Sequence, residues 1–173
     1  MLYMKKFVFL GLFVLAAYAG FSQAEKPMYE IHAQMIYNFL KYVQWPNDAE
    51  GGEFVLGVIG EDDVYNILKT YYEGKPKGSK KFAIKKLSSP DEAAYCSVVY
   101  IGKNKGSQFD AVRNAASGKP ILTITDSANL GKKGSCINFK VIDGKLKFEL
   151  NQASITASTL KVASQLSSMA ILL

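Results

Sequence analysis

The chain has few side chains that could carry out chemistry. It contains one histidine, His32, and two cysteines, Cys96 and Cys136. Metal sites and acid–base pairs usually need several such groups at helical or loop spacing, yet no cysteine lies within four residues of His32. We therefore predict that His32 is an ordinary helix-surface or boundary histidine. Because such groups are scarce, we predict that the protein binds neither a metal nor a cofactor.

No motif for nucleophilic catalysis or nucleotide binding is present. No serine stands in a Gly-x-Ser-x-Gly elbow, and a Ser-His-Asp triad would have to use His32. The stretch Gly57-Val-Ile-Gly60 follows a predicted strand, but it lacks the third glycine of a dinucleotide loop and the lysine of a phosphate loop. These observations predict a protein that is not an enzyme.

Cys96 and Cys136 each stand at the start of a predicted strand. In an oxidising compartment an even cysteine count favours a disulfide, which would stabilise the fold by roughly 4 kcal/mol in the chain-entropy model. The alternative is two separately buried thiols that pack as small apolar side chains. The sequence leaves both open, because it does not give the distance between the two Cα atoms.

The first 24 residues have the pattern of an export signal. Lys5 and Lys6 precede an apolar run over 7–19, which is too short to span a bilayer, and Ser22-Gln-Ala24 supplies small residues for cleavage. We predict removal of 1–24 after Ala24, leaving one domain over 25–173 in the periplasm.

Charge gives little support for a nucleic-acid partner. The net charge is +6, with lysines concentrated over 75–86 and at Lys132 and Lys133. These runs lack interleaved aromatic residues, and Arg113 is the one arginine in the chain. A solvated loop and strand face is the better interpretation, so no nucleic-acid partner is predicted.

Hydrophobic periodicity predicts alternating helices and strands. Asp143-Gly144 between two alternating runs is a strong hairpin signal, and Asn151 can cap a long C-terminal helix whose apolar stripe ends at Leu173. The predicted helices are 28–43, 62–72, 107–116 and 151–173, and the predicted strands are 53–59, 81–87, 96–101, 120–125, 135–142 and 145–150. This order predicts an α/β three-layer sandwich with a mixed, mainly parallel central sheet, a C-terminal antiparallel hairpin and that long helix.

Two motifs resemble a known family. Tyr37-Asn-Phe39 with Trp45-Pro46 in the first helical region, and Phe148-Glu-Leu-Asn151 near the end, are similar to the YfiR-like family of small periplasmic proteins. The similarity runs from about Ala33 to Ala170, through weaker matches at 122–126 and 134–139.

The resemblance implies regulation. The family's best-understood members are dimeric periplasmic repressors that hold an inner-membrane diguanylate cyclase inactive through its periplasmic sensor domain. It therefore implies a homodimer, an inner-membrane signalling partner and a role in cyclic-di-GMP signalling. Members whose disulfides respond to redox state have more cysteines than the two here, so a disulfide switch is not expected.

Four residues in the matching segments are candidates for binding a partner or a ligand: Tyr37, Tyr42, Glu149 and Asn151. The helix that carries Tyr37 has more aromatic residues than one buried stripe needs. Glu149 alternates with apolar neighbours, so it should face outward, where it could meet a cation or serve as a solvated edge charge. Trp45 is expected to fill the core.

A second hypothesis is a small-molecule-binding module. In open α/β sheets ligands bind at the carboxyl ends of the strands. The residues after three predicted strands, at 60–63, 102–105 and Asp126, would then form the site. The adjacent Asp62 and Asp63 are equally typical of helix caps.

Overall fold

A computed structural model of the protein describes residues 28–46 and 51–173. The predicted export signal lies outside these residues. Within them, no helix has both the length and the apolar character needed to cross a membrane.

The helices are α1 (28–39), α2 (Asp62–Tyr72), α3 (Phe109–Ala116), α4 (Gln152–Ala157) and α5 (Ser164–Met169), with 3-10 helices at Pro90–Tyr95 and Lys103–Gln108. The strands are β1 (Val43–Gln44), β2 (Gly52–Ile59), β3 (Pro76–Lys77), β4 (Lys80–Lys86), β5 (Val98–Ile101), β6 (Leu122–Thr125), β7 (Ile137–Ile142), β8 (Lys145–Leu150), β9 (Lys161–Val162) and β10 (Ile171–Leu172).

Eight strands form one mixed sheet in the order β10-β8-β7-β6-β5-β2-β4-β3. The central strands β4, β2, β5, β6 and β7 are parallel, and β7 pairs antiparallel with β8. The predicted mixed, mainly parallel sheet is therefore confirmed. Strand β10, which the sequence did not predict, lies parallel to β8 at one edge.

Two apolar clusters lie on the two faces of this sheet. The larger one joins α1, α2, α4 and α5 to the strand residues Leu56, Tyr100 and Ile124. The smaller one joins α3 to Val99 and Ile101, which alternate with Tyr100 along β5. Because successive side chains of a strand point to opposite faces, the sheet is covered on both sides, which is the predicted layered arrangement.

The hairpin that joins β7 to β8 forms at the predicted position. Asp143 and Gly144 have φ angles of 50° and 70°. A two-residue turn with positive φ at both positions matches the twist of the flanking strands, and Asp-Gly tolerates that conformation well. The register places Asn138 opposite Glu149 and Phe139 opposite Phe148.

The predicted long C-terminal helix is wrong. The chain leaves helix after α4, passes through Thr159 at φ 54°, and forms β9 before α5 begins. Strand β9 pairs antiparallel with β1 in a separate two-stranded sheet. The segment between the helices contains Ser158, Thr159 and Val162, which are weaker helix formers than alanine or leucine, so the strand pairing outweighs continuation of the helix.

The apolar stripe predicted along that helix is divided accordingly. Ile155 and Leu166 are fully buried, whereas Met169 is 58% exposed and Leu173 is 40% exposed. The predicted cap survives the correction, because Asn151 Oδ1 accepts a hydrogen bond of 2.9 Å from the backbone N–H of Ser154.

Candidate functional site at the carboxyl ends of the strands

The sheet contains a topological switch point between β2 and β5. The chain leaves β2 for β4 on one side and leaves β5 for β6 on the other, although β2 and β5 are neighbours. Such a switch opens a crevice beyond the carboxyl ends of the two strands. Here β2 and β5 are followed directly by Gly60 and Gly102, which have no side chain to place into the crevice.

Glu61 fills part of that crevice. Its backbone is left-handed at φ 46°, an uncommon conformation for a residue with a side chain. The side chain lies against the Gly102 backbone, where an added Cβ would collide with the Glu61 Cγ atom. Its Oε1 accepts a hydrogen bond of 3.3 Å from the Asn104 backbone N–H. Glu61 therefore places a carboxylate at the switch point.

His32 is buried, not at the surface or boundary as predicted. Only 2% of the residue is exposed, and its ring lies 4.5 Å from that of Phe139. His32 Nε2 is 3.8 Å from Asp126 Oδ2, and neither ring nitrogen has a hydrogen-bond partner among the described residues. Burial lowers the pKa of His32 from 6.5 to about 4, so the ring is neutral at physiological pH.

Asp126 and Tyr100 complete this buried polar group. Burial raises the pKa of Asp126 from 3.8 to about 6, Lys103 acts to lower it, and Glu61 acts to raise it. The Tyr100 hydroxyl is buried without a hydrogen-bond partner among the described residues. Burial, and after it the charge of Asp126, raise the pKa of Tyr100. Buried polar groups without partners are rare, so two such side chains, His32 and Tyr100, close to the partly buried Asp126 are unusual.

A cleft opens from Asp126 between β6 and β7. The two strands pair over only two residues, after which β6 ends and β7 continues. Beyond that point lies a cleft of about 390 Å³, lined by Lys103, Asp126, Ser127, Ala128, Asn129, Asn138, Phe139, Lys140, Val141 and Glu149. This volume is in the range of small-molecule sites, and the cleft contains Asp126 beside the unpartnered His32, so we take it as the candidate functional site.

Glu149 also lines this cleft, but not as the sequence suggested. It is 3% exposed, and the neighbouring β10 removes it from the sheet edge, so it is neither outward-facing nor a solvated edge charge. Its oxygens accept hydrogen bonds of 3.0 Å from Asn138 Nδ2 and 2.8 Å from Lys140 Nζ. Burial by itself raises the pKa of Glu149, but these hydrogen bonds outweigh it and the net pKa is lowered.

A family model described as YfiR/HmsC-like matches residues 29–171. The chain belongs to this family. No curated protein matches it. The match runs from the first turn of α1 to the start of β10 and includes every residue that lines the cleft, so the candidate site lies within the YfiR/HmsC-like domain.

The other predicted binding residues are not gathered at one place. Asn151 lies beside Glu149, and its Nδ2 donates a hydrogen bond of 2.9 Å to the Gly131 carbonyl. Tyr37 stacks on Tyr72 with ring centroids 4.1 Å apart, while the Tyr42 carbonyl accepts a hydrogen bond of 2.9 Å from Ala163 beside β9. Each of these residues therefore also has a structural contact.

The remaining chemistry-bearing residues have structural surroundings. Cys96 and Cys136 are separate free thiols, both buried, in the smaller and the larger apolar cluster respectively. Trp45 is buried as predicted, and its Nε1 donates a hydrogen bond of 3.2 Å to the Ser97 carbonyl. No group of three or more potential metal ligands occurs in the ranges 28–46 and 51–173.

Proposed function

We propose that this protein is a periplasmic regulator in cyclic-di-GMP signalling, which binds and restrains an inner-membrane diguanylate cyclase through its periplasmic sensor domain. Membership of the YfiR/HmsC-like family over residues 29–171 carries the proposal. The small-residue stretch at Ser22-Gln-Ala24 supports export to the compartment where such a sensor domain lies.

Capture from living cells tests the regulator directly. The tagged protein is crosslinked in intact cells, purified and analysed by mass spectrometry, and cyclic di-GMP is measured with and without the gene. We expect an inner-membrane cyclase with a periplasmic domain among the captured proteins, and higher cyclic di-GMP in its absence. Efficient crosslinking that yields only the protein itself, with unchanged cyclic di-GMP, would contradict the proposal.

The partner surface is proposed on α1 and the residues that follow it, which include Tyr37 and Tyr42. Ile31 is the exposed large apolar residue of this helix, with 43% of the residue accessible to solvent. Tyr37 is less available, because one face of its ring stacks on Tyr72. We expect Ile31→Glu to weaken partner capture at least fivefold with the unfolding temperature unchanged. Gln34→Glu, an exposed change on the same helix, is the matched control.

We propose a homodimer as the working form, in line with the family resemblance. Light scattering on the mature protein measures its mass directly. We expect twice the mass of one chain at micromolar concentration. A monomer mass that persists up to hundreds of micromolar would contradict it.

A second candidate function is small-molecule binding, favoured by the cleft at Asp126. The cleft lies beyond the carboxyl ends of β5 and β6, on the edge of the sheet where open α/β sheets bind ligands, although it is not at the switch point itself. A bound effector would adjust partner binding. A thermal-shift screen with amino acids, vitamins and nucleotides tests this function. Stabilisation that is lost when the cleft is changed would support it, and no stabilisation by any class at millimolar concentration would contradict it.

A further inference from the structure

The Asp126 carboxylate is unusual because it is held without a hydrogen-bond donor. Among the described residues, no side chain or backbone N–H donates a hydrogen bond to it. Its nearest polar contact is His32 Nε2 at 3.8 Å, beyond hydrogen-bond distance. By contrast, Glu149 in the same cleft is fully engaged by Asn138 and Lys140. Asp126 is therefore the carboxylate with unused acceptor capacity.

The groups behind Asp126 supply no positive charge to balance its carboxylate. His32 is 2% exposed, neutral, and directs Nε2 toward the carboxylate, while the Tyr100 hydroxyl lies in the same buried region. Neither brings a positive charge. Glu61 acts on Asp126 as a second negative charge from the switch point.

The front of Asp126 is open to a ligand. The side chain is 21% exposed and lines the cleft of about 390 Å³. The charges of Glu149 and Lys140 cancel through their ion pair of 2.8 Å. Lys103 is the remaining cation among the lining residues, and it forms no ion pair with Asp126 within 4.0 Å.

We propose that the cleft binds a small molecule carrying a primary ammonium group, and that the Asp126 carboxylate receives this group. The inference rests on the second candidate function and names its ligand class. An ammonium offers three N–H donors and one positive charge, which are what the partly desolvated carboxylate lacks. An anionic ligand would be repelled by the Asp126 carboxylate, and Glu61, outside the cleft lining, adds a second negative charge. A neutral alcohol would leave the Asp126 charge uncompensated.

Three four-carbon probes separate the chemical classes: 1,4-diaminobutane, 1,4-butanediol and succinate. Binding to the mature protein is measured at pH 7.5 by thermal shift and by calorimetry. We expect the diamine to stabilise the protein, with the diol and succinate having no effect. Equal stabilisation by the diol would overturn the proposal, as would stabilisation by succinate alone.

Two variants locate the ammonium. Asp126→Asn keeps the side-chain shape and should weaken diamine binding at least tenfold, whereas Asp110→Asn, on the exposed ion pair with Arg113, should leave it unchanged. Lys103→Ala removes a cation from the cleft rim without altering a buried contact, and it should tighten diamine binding about threefold. Weaker binding by Lys103→Ala, or unchanged binding by Asp126→Asn, would overturn the assignment.

The outcome also separates this inference from the function on which it rests. If the diamine has no effect but another class in the broader screen stabilises the protein in a cleft-dependent manner, the ammonium assignment fails and the binding module stands. If no compound stabilises the protein, both fail together.

Discussion

Glu149 and His32 are both buried at the candidate site, but the fold stabilises the charged form of Glu149 and the neutral form of His32. Glu149 receives hydrogen bonds from Asn138 and Lys140, so its charged form is stabilised. His32 has no hydrogen-bond partner among the described residues, and its burial favours the neutral ring. Asp126 faces it with only partial access to water. The candidate site therefore contains one carboxylate, Glu149, whose charge is stabilised by hydrogen bonds, and one pair, His32 and Asp126, that forms no hydrogen bond.

We expect the His32–Asp126 pair to have opposing effects on the pH dependence of stability. The pKa of His32 is lowered from 6.5 to about 4, so its contribution is lost as the pH falls through this range. The pKa of Asp126 is raised from 3.8 to about 6, so its contribution grows as the pH falls through that range. Between pH 4 and 6 the two largely cancel in the wild-type protein.

Single substitutions should separate the contribution of His32 from that of Asp126 when the free energy of unfolding is measured in urea from pH 7.5 to 4. As the pH falls from 6 to 4, Asp126→Asn should lose about 3 kcal/mol relative to wild type. Over the range from 6.5 to 4, His32→Gln should gain a similar amount relative to wild type. The exposed control Asp110→Asn should run parallel to wild type, and parallel curves for all three variants would contradict the prediction.

Glu149 should contribute more to stability than an exposed ion pair. We expect Glu149→Gln to cost about 2 kcal/mol in the free energy of unfolding at pH 7, because it removes charged hydrogen bonds at a buried position. The control is Glu53→Gln, which breaks the exposed pair with Lys85 and should cost under about 0.5 kcal/mol. Since the pKa of Glu149 is lowered in the fold, the wild-type advantage should shrink as the pH falls below 4.5. Equal costs for the two variants would show that burial adds nothing.

Local sequence signals predicted the β7–β8 hairpin correctly, but they did not predict the break between α4 and α5. Asp143-Gly144 determines the hairpin through its own backbone preferences, so the sequence was enough. The break between α4 and α5 depends on pairing between β9 and β1, whose residues are far apart in the chain. An apolar stripe at helical spacing does not reveal such a pairing, and it therefore predicted one long helix.

Asn151 connects the end of β8, the first turn of α4 and the loop at Gly131. Substituting it should show how much these contacts contribute to the free energy of unfolding. Its Oδ1 caps α4 and its Nδ2 bonds the Gly131 carbonyl, beside the end of β8. We expect Asn151→Ala to cost about 2 kcal/mol in urea unfolding, through loss of the cap and of the second hydrogen bond. Asn151→Asp keeps the cap acceptor and should cost less. If Asn151→Ala matched the exposed control Gln152→Ala, the capping role would be wrong.

The whole molecule explains which parts of the site were predictable. Strand order and strand ends follow from the alternation of elements, so Asp126 was expected at the carboxyl end of the sheet. The burial of His32 follows from the way α1 packs over Phe139, and its approach to Asp126 is a tertiary contact that no local pattern contains. The burial of Glu149 likewise required β10, which places a further strand beside β8.

The layered architecture also gives the two cysteines separate surroundings. Cys96 packs with Gly57 and Leu87 in the smaller cluster, and Cys136 lies in the larger cluster on the other face of the sheet. Burial, as the main cause, raises the pKa of Cys96 to about 11, so its reactive thiolate is scarce at neutral pH.

We therefore expect a thiol reagent to label neither cysteine rapidly in the folded protein, and two thiols per chain after unfolding without reductant. Because no cross-link restricts the unfolded chain, reductant should leave the urea midpoint unchanged. Cys96→Ala and Cys136→Ala should destabilise additively, since the two side chains lie in different apolar clusters. Fewer than two thiols after unfolding, or a midpoint that falls on reduction, would show that the faces are joined by a disulfide.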